Sequence, residues 1–181
     1  NGLSFEIRSD TFFQTNTLQA ERLFQELMRQ VGDRRPQLAL DLYSGVGPIA
    51  MHLAPVAERV VGVESVAESV NAAHENLARN NIRNVTMICA EVEKAGPGAL
   101  PPGADLIVVD PPRPGLHARA LEKISAMGPS LLVYISCNPA TLARDLKLLA
   151  ASGYEIVQTQ PLDMFPHTFH VEALTILKRI K

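Results

Sequence analysis

The chain has 181 residues, 46% hydrophobic, 20% charged and 5% aromatic, which predicts one folded domain and excludes intrinsic disorder. Lys plus Arg number 17 against 19 Asp plus Glu, a net charge of −2, so affinity for nucleic acid must be local or lent by another module. No run reaches the about 18 apolar residues that a membrane span needs, and no membrane partner is expected.

Apolar residues at Leu18, Leu23, Phe24, Leu27, Met28 and Val31 form a helical stripe, with Thr17 as its expected cap. Residues 38–42 read as a short buried strand and 43–47 as a turn, and Pro48 opens a helix through Ala54. A second strand, 59–63, is closed by Glu64; a helix near 66–80 and a strand over 85–89 follow. The breaker-dense stretch 96–103 is a surface loop. Strand 106–109 leads into Asp110–Gly115, then come a short helix near 118–126 and strand 131–136. Asn138-Pro139 opens a helix through Ala151 that Gly153 ends, and two closing strands lie near 154–161 and 171–178. Strands alternating with helices imply an α/β domain with a mainly parallel sheet covered on both faces. The last two strands have no helix between them, so an antiparallel strand is expected at one edge.

Two cysteines, Cys89 and Cys137, are too few for a disulfide framework, an iron–sulfur cluster or a four-cysteine zinc site. The start at Asn1 has neither an initiator Met nor the layout of a signal peptide. A fragment or processed chain in a reducing, cytoplasmic setting is expected.

In such sheets ligands bind beyond the carboxyl ends of the strands, at the switch point in strand order. The unusual residues fall there: Tyr43 to Gly47, Glu64, Glu91, Asp110 to Arg113, and Cys137-Asn138-Pro139. Gly45 and Gly47 belong to a G-x-G-x-x-A pattern between strand and helix, and Glu64 is placed to take both hydroxyls of a ribose. A dinucleotide or any adenosine-bearing cofactor satisfies that pattern; the bland alternative is a plain turn whose glycines relieve strain. Asp41 would repel a pyrophosphate, and Pro48 removes an N–H that a phosphate would use. Both favour a cationic cofactor, S-adenosylmethionine, with Asp41 acting directly or by fixing the glycine loop.

Asp110-Pro111-Pro112 is a turn found in enzymes that methylate amino groups of bases, but there an aromatic residue follows, and here Arg113 does. The alternative is a proline-stiffened loop with a capping Asp. Cys137 lies just past a buried strand at a helix start, where positive partial charge is expected to lower its pKa. Cys89 lacks these features and is expected to be a core residue. The segment 163–172 carries two His and a Glu, but lacks helical His spacing and a second Cys, so no metal is expected and a pocket-closing loop is preferred.

Taken together, these motifs resemble the catalytic domain of the RNA (uracil-5-)-methyltransferases. The matching stretches are Phe12-Phe13-Gln14-Thr15-Asn16, Asp41 to Gly47, Val61-Gly62-Val63-Glu64, Asp110 to Gly115, Ser-Cys-Asn-Pro-Ala-Thr-Leu-Ala-Arg-Asp over 136–145, and Phe-Pro-His-Thr-Phe-His-Val-Glu over 165–172. The resemblance implies a Rossmann-like class I S-adenosylmethionine-dependent methyltransferase with a seven-stranded sheet. It implies that Cys137 is the nucleophile and Glu172 the base. Gln14, Tyr43, Glu64 and Asp110 would line the cofactor site or its junction with uracil, with Gly45, Gly47 and Glu91 beside them. Pro48 and Ser44 depart from the residues that many relatives have. Full-length members also carry an N-terminal RNA-binding domain and a central domain, so 1–181 would be the methyltransferase part alone. Most RNA affinity would then come from the missing part. RNA is the expected partner, ribosomal ahead of transfer RNA.

The chemistry explains the residues. Carbon 5 of uracil is a poor nucleophile until thiolate addition at C6 makes an enolate; C5 then takes the methyl group, Glu172 removes the C5 proton, and Cys137 leaves. The base must be flipped out of its stack. Phe165, His167 and Phe169 are expected to hold it, and Arg113 or Arg144 to contact phosphate. Two rivals remain at this level: an amino-group methyltransferase working through Asp110, and a non-catalytic or oxidoreductase nucleotide-binding domain.

Overall fold

A computed structural model describes residues 2–6, 16–96, 98–168 and 170–180, apart from the side chain of Asp33. Helix α1 (Thr17–Val31) runs into a 3-10 turn at Gly32–Arg34. Then follow β1 (Leu38–Leu42), α2 (Pro48–Leu53), β2 (Arg59–Glu64), α3 (Ala67–Arg79), β3 (Val85–Cys89) and β4 (Leu106–Val109). The rest comprises α4 (Ala118–Met127), β5 (Leu131–Ser136), α5 (Pro139–Ala151), β6 (Tyr154–Leu162) and β7 (Glu172–Arg179). One expectation changes at the first helix: Asn16, not Thr17, is its cap, the Asn16 side chain accepting from the Gln19 N–H at 3.2 Å. Asn and Thr are both good capping residues, and the choice fell to the residue whose amide also reaches the Met164 carbonyl, 3.0 Å away.

The seven strands form one sheet in the order β3-β2-β1-β4-β5-β7-β6. Pairings from β3 through β5 are parallel, and both pairings of β7 are antiparallel. The expected antiparallel pairing therefore lies at that edge, with β7 inserted between β5 and β6. The chain builds outward from β1 to β3 and then crosses to β4 on the other side of β1, so a crevice opens between the carboxyl ends of β1 and β4.

Alternate strand residues face opposite sides, which produces two cores. Ala39, Val60, Val108, Val133 and Ile176 pack with α1 and α2. Leu40, Val61, Ile107, Leu132 and Leu177 pack with α4 and α5. A smaller cluster joins α3 to Met51 and Met87. Nearly every residue of β1, β4 and β5 is buried, as expected of strands covered on both faces. Such strands are rigid, and the side chains just past their ends inherit fixed positions.

Candidate active site

The turn after β1 is held from beneath. Asp41 is fully buried, and its Oδ2 accepts from the Ser44 hydroxyl at 2.6 Å and the Ala50 N–H at 2.9 Å. Burial pushes its carboxyl up to about 7. Asp41 thus fixes the glycine loop, the second of the two roles open to it. Tyr43 and Gly45 both have positive φ, 65° and 54°. The Gly45 N–H donates to Glu64 Oε2 at 2.9 Å, and Glu64 Oε1 accepts from the Val66 N–H at 2.8 Å. The end of β2 is thereby tied to the turn, with the carboxylate of Glu64 lining the cleft.

The two glycines part company. A Cβ on Gly45 would meet nothing within 4 Å, whereas one on Gly47 would lie 3.2 Å from Met51 Cε and 3.4 Å from Ala73 Cβ. Gly47 is therefore a packing residue between α2 and α3 rather than part of the cleft wall, and its positive φ of 86° caps α2. Tyr43, Gly45, Glu64, Glu91 and Asp110 line one cleft as expected; Glu91 is exposed there and pairs with Lys94 at 2.7 Å. Gln14 lies outside the described residues.

The other half of the cleft brings together Asp110, Cys137 and Glu172. Glu172 is the first residue of β7 and is buried. Ser136 pairs with Ala173, and one further step of the antiparallel register sets Cys137 beside Glu172. Cys137 is half-buried. Its thiol is not lowered as expected: burial, then the charges of Glu172 and Asp110, push it up, against the pull of Arg113 and its own N–H. The helix start is too weak a counterweight, because Cys137 precedes the cap Asn138, Pro139 has no N–H, and the Ala140 N–H is already taken by Asn138. Burial also raises Glu172, with Arg113 pulling it down, while burial and the charges of Glu172 and Asp41 push Asp110 up to about 8.

The loop between β6 and β7 closes one side. Phe165 packs partly buried on the α1 face, and its ring meets His170 edge-on at a centroid distance of 6.2 Å. His170 Nδ1 lies 2.7 Å from Arg113 Nη2. Sequence reasoning had singled out His167 instead. That side chain is exposed at a positive-φ turn and is absent from the cleft wall, which His170 lines. Two His three residues apart in an irregular loop carry no periodicity that distinguishes them. Phe169 lies outside the described residues. Arg144 is engaged elsewhere, donating to the Pro114 carbonyl at 2.9 Å and to Asp145 at 2.8 Å. Cys89 is exposed, not a core residue.

The cleft holds about 720 Å³, with an apolar wall from Leu23, Phe24 and Ile49. Among the described residues its acids are Glu64, Glu91, Glu93, Asp110 and Glu172, and its guanidinium is that of Arg113. Apolar surface, a carboxylate at the β2 end and an excess of negative charge suit a nucleoside cofactor that is itself cationic, and disfavour a pyrophosphate. Among the described residues no group of three His, Cys, Asp or Glu is arranged to hold a metal ion.

Fold and site together define a class I methyltransferase. At 17% identity and a TM-score of 0.73, N-methyltransferase NodS from Bradyrhizobium japonicum shares the fold, covering 92% of this chain and 90% of its own. The tRNA (uracil-5-)-methyltransferase family model matches residues 1–96 and 103–180, and the chain belongs to that family. An uncharacterised RNA methyltransferase from Listeria innocua is 42% identical over 179 residues, covering 98% of this chain and 40% of the relative. One from Caldanaerobacter subterraneus is 41% identical over 178 residues, covering 98% and 39%. The tRNA (uracil-54, C5)-methyltransferase of Pyrococcus abyssi, crystallised with S-adenosyl-L-homocysteine, superposes with a TM-score of 0.84 at 37% identity. That match covers 96% of this chain and 41% of the other. The chain thus spans about two-fifths of the length of these relatives.

Proposed function

We propose that the chain is the methyltransferase domain of an RNA (uracil-5-)-methyltransferase that takes its methyl group from S-adenosylmethionine. The observation that carries this reading is the convergence of Cys137, Glu172 and Asp110 on the cleft that also contains the Gly45 turn and Glu64. An amino-group methyltransferase needs no thiol there.

S-adenosylmethionine supplies an electrophilic methyl on a sulfonium. In this reading Glu64 accepts from ribose hydroxyls and the apolar wall of Leu23, Phe24 and Ile49 takes the base of the cofactor, supported by their shared lining of the cleft. Cys137 attacks C6 of the flipped uracil as the thiolate, forming an Sγ–C6 bond and moving electron density to C5. Glu172 takes the C5 proton after methyl transfer, and the Sγ–C6 bond breaks as the ring double bond returns. A carboxylate raised by burial is suited to that work, since it binds the proton more strongly than an exposed one. The carboxylates of Glu64, Glu91 and Glu93 in the cleft repel phosphate, which supports the reading that RNA is gripped by parts of a longer protein and only one base enters.

The substrate is a uridine of ribosomal RNA ahead of transfer RNA, in the reducing cytoplasm that keeps Cys137 free. The test is Cys137→Ala in the full-length protein, assayed by mass mapping of 5-methyluridine in both RNAs. Methylation should fall below detection, by at least about a thousandfold, while S-adenosylhomocysteine still binds. Retained turnover would overturn the assignment.

A further inference from the structure

The stretch that begins with Cys137 does more than supply a thiol. From its cap through its first two turns α5 presents four side chains to a single target, the stretch Asp110–Leu116. Asn138 Nδ2 donates to the Arg113 carbonyl at 3.3 Å, and the Thr141 hydroxyl, shared with the Asn138 carbonyl, lies 3.1 Å from the same oxygen. Arg144 Nη2 donates to the Pro114 carbonyl at 2.9 Å and sits 3.3 Å from that of Leu116. Asp145 is fully buried, and its Oδ2 accepts from the Leu116 N–H and from the Tyr134 hydroxyl, both at 2.7 Å. Its Oδ1 takes the Arg144 Nε–H at 2.8 Å, which aims the guanidinium at the loop. The loop comes in so closely that a Cβ on Gly115, whose φ is +78°, would lie 2.6 Å from Asp145 Oδ2.

We infer that Thr141, Arg144 and Asp145 are positioning residues, which lock the loop carrying Asp110 and Arg113 to the helix that follows the nucleophile. The physical reason is geometric. Cys137 and Arg113 come from the ends of different strands, and the electrostatics of the site depend on the distance between them. Groups that face Cys137 are Asp110 and Arg113 from this loop and Glu172 from β7. Arg113 is the cation among them, and it is carried on a segment rich in proline with few backbone hydrogen bonds of its own. Without the clamp, the backbone carrying Arg113 can move away from the thiol and from Glu172, even though its guanidinium also meets His170. Asp145 lies eight residues from Cys137 and is not part of the cleft wall, so it acts through the loop.

This inference rests on the proposed function for its importance, but the experiment reads the loop and not the reaction. The rate of Cys137 alkylation by iodoacetamide is followed against pH in the chain, resolved from Cys89 by peptide mass spectrometry. In Thr141→Val and Asp145→Asn the profile should move to higher pH, with alkylation at pH 8 about threefold slower, because the thiolate loses its nearby cation. Thr141→Ser keeps the hydroxyl and should restore the original profile. Folded Thr141→Val and Asp145→Asn chains that melt earlier but keep an unchanged profile would make the clamp merely structural and overturn the inference. Should Asp145→Asn fail to fold, the Val and Ser variants of Thr141 decide alone. Methyl transfer retained by Cys137→Ala would remove the proposed function and leave this test untouched.

Discussion

The two halves of the cleft are built on opposite principles. On the β1–β2 side the carboxylates are tied into the turn: Asp41 Oδ2 holds Ser44 and the Ala50 N–H, while its Oδ1 is buried without a partner among the described residues, and Glu64 holds Gly45 and Val66. On the β4–β5–β7 side, among the described residues, the carboxylates of Asp110 and Glu172 accept no hydrogen bond, and both are raised by burial and, for Asp110, by neighbouring charge. Carboxylates tied to backbone N–H groups brace the turn, while the buried Glu172, and the half-buried Asp110 and Cys137 beside its charge, are kept in protonation states that chemistry can exploit. In the proposed reading one side holds a ligand and the other reacts.

Substitutions that treat the halves differently sharpen this contrast. The largest effect is expected from Glu172→Gln, which should stop turnover after the Sγ–C6 bond forms; an SDS-resistant protein–RNA band would accumulate, and a variant that turns over without one would remove Glu172 as the base. Glu64→Gln belongs to the holding side. It should weaken S-adenosylhomocysteine by about tenfold in calorimetry, the cost of a lost charge-assisted hydrogen bond, and leave Cys137 alkylation where it was.

A smaller effect, shared by the two halves, is read by pH. Asp41 and Asp110 have folded values of about 7 and about 8, above the ordinary 3.8. The fold therefore favours their neutral forms: the stability they contribute is complete below about pH 4 and is lost as pH rises through 7 to 8. The melting temperature of the free chain should decline across that window. Asp110→Asn, which cannot ionise, should melt about 3 °C above the parent chain at pH 8 and the same as the parent at pH 4; equal melting at both values would contradict the raised carboxyl.

The smallest effect is at α1. Asn16→Ala should cost about 1 kcal/mol in urea unfolding through the lost cap, and Thr17→Ala, within the first turn, less than about 0.5 kcal/mol.

Much of this site was legible without coordinates. Strand ends are marked locally, by apolar runs that stop at Asp41-Leu42, Glu64, Asp110 and Cys137, and the parallel α/β rule then gathers those ends at one edge. The resemblance supplied roles for Cys137 and Glu172, and the antiparallel insertion of β7 explains how residues from separate strands come side by side. Gly47 and His167 were placed in the site on pattern alone, and each missed for a packing reason: Gly47 backs onto Met51 and Ala73, and the turn at His167 points its side chain to solvent while His170 meets Arg113.

What the amino-acid order determined by itself was the alternation of strands and helices and which side chains stand at the strand ends, because apolar periodicity and turn residues act over a few positions. What only the folded chain decided was the charge state of those groups and the partner each one keeps. The thiol of Cys137 is raised rather than lowered because the fold half-buries it and β7 then brings the carboxylate of Glu172 beside it, and the loop of Arg113 is held by a helix that the chain reaches only after building another strand. Burial and charge are sums over neighbours in space, and no local stretch of sequence contains them.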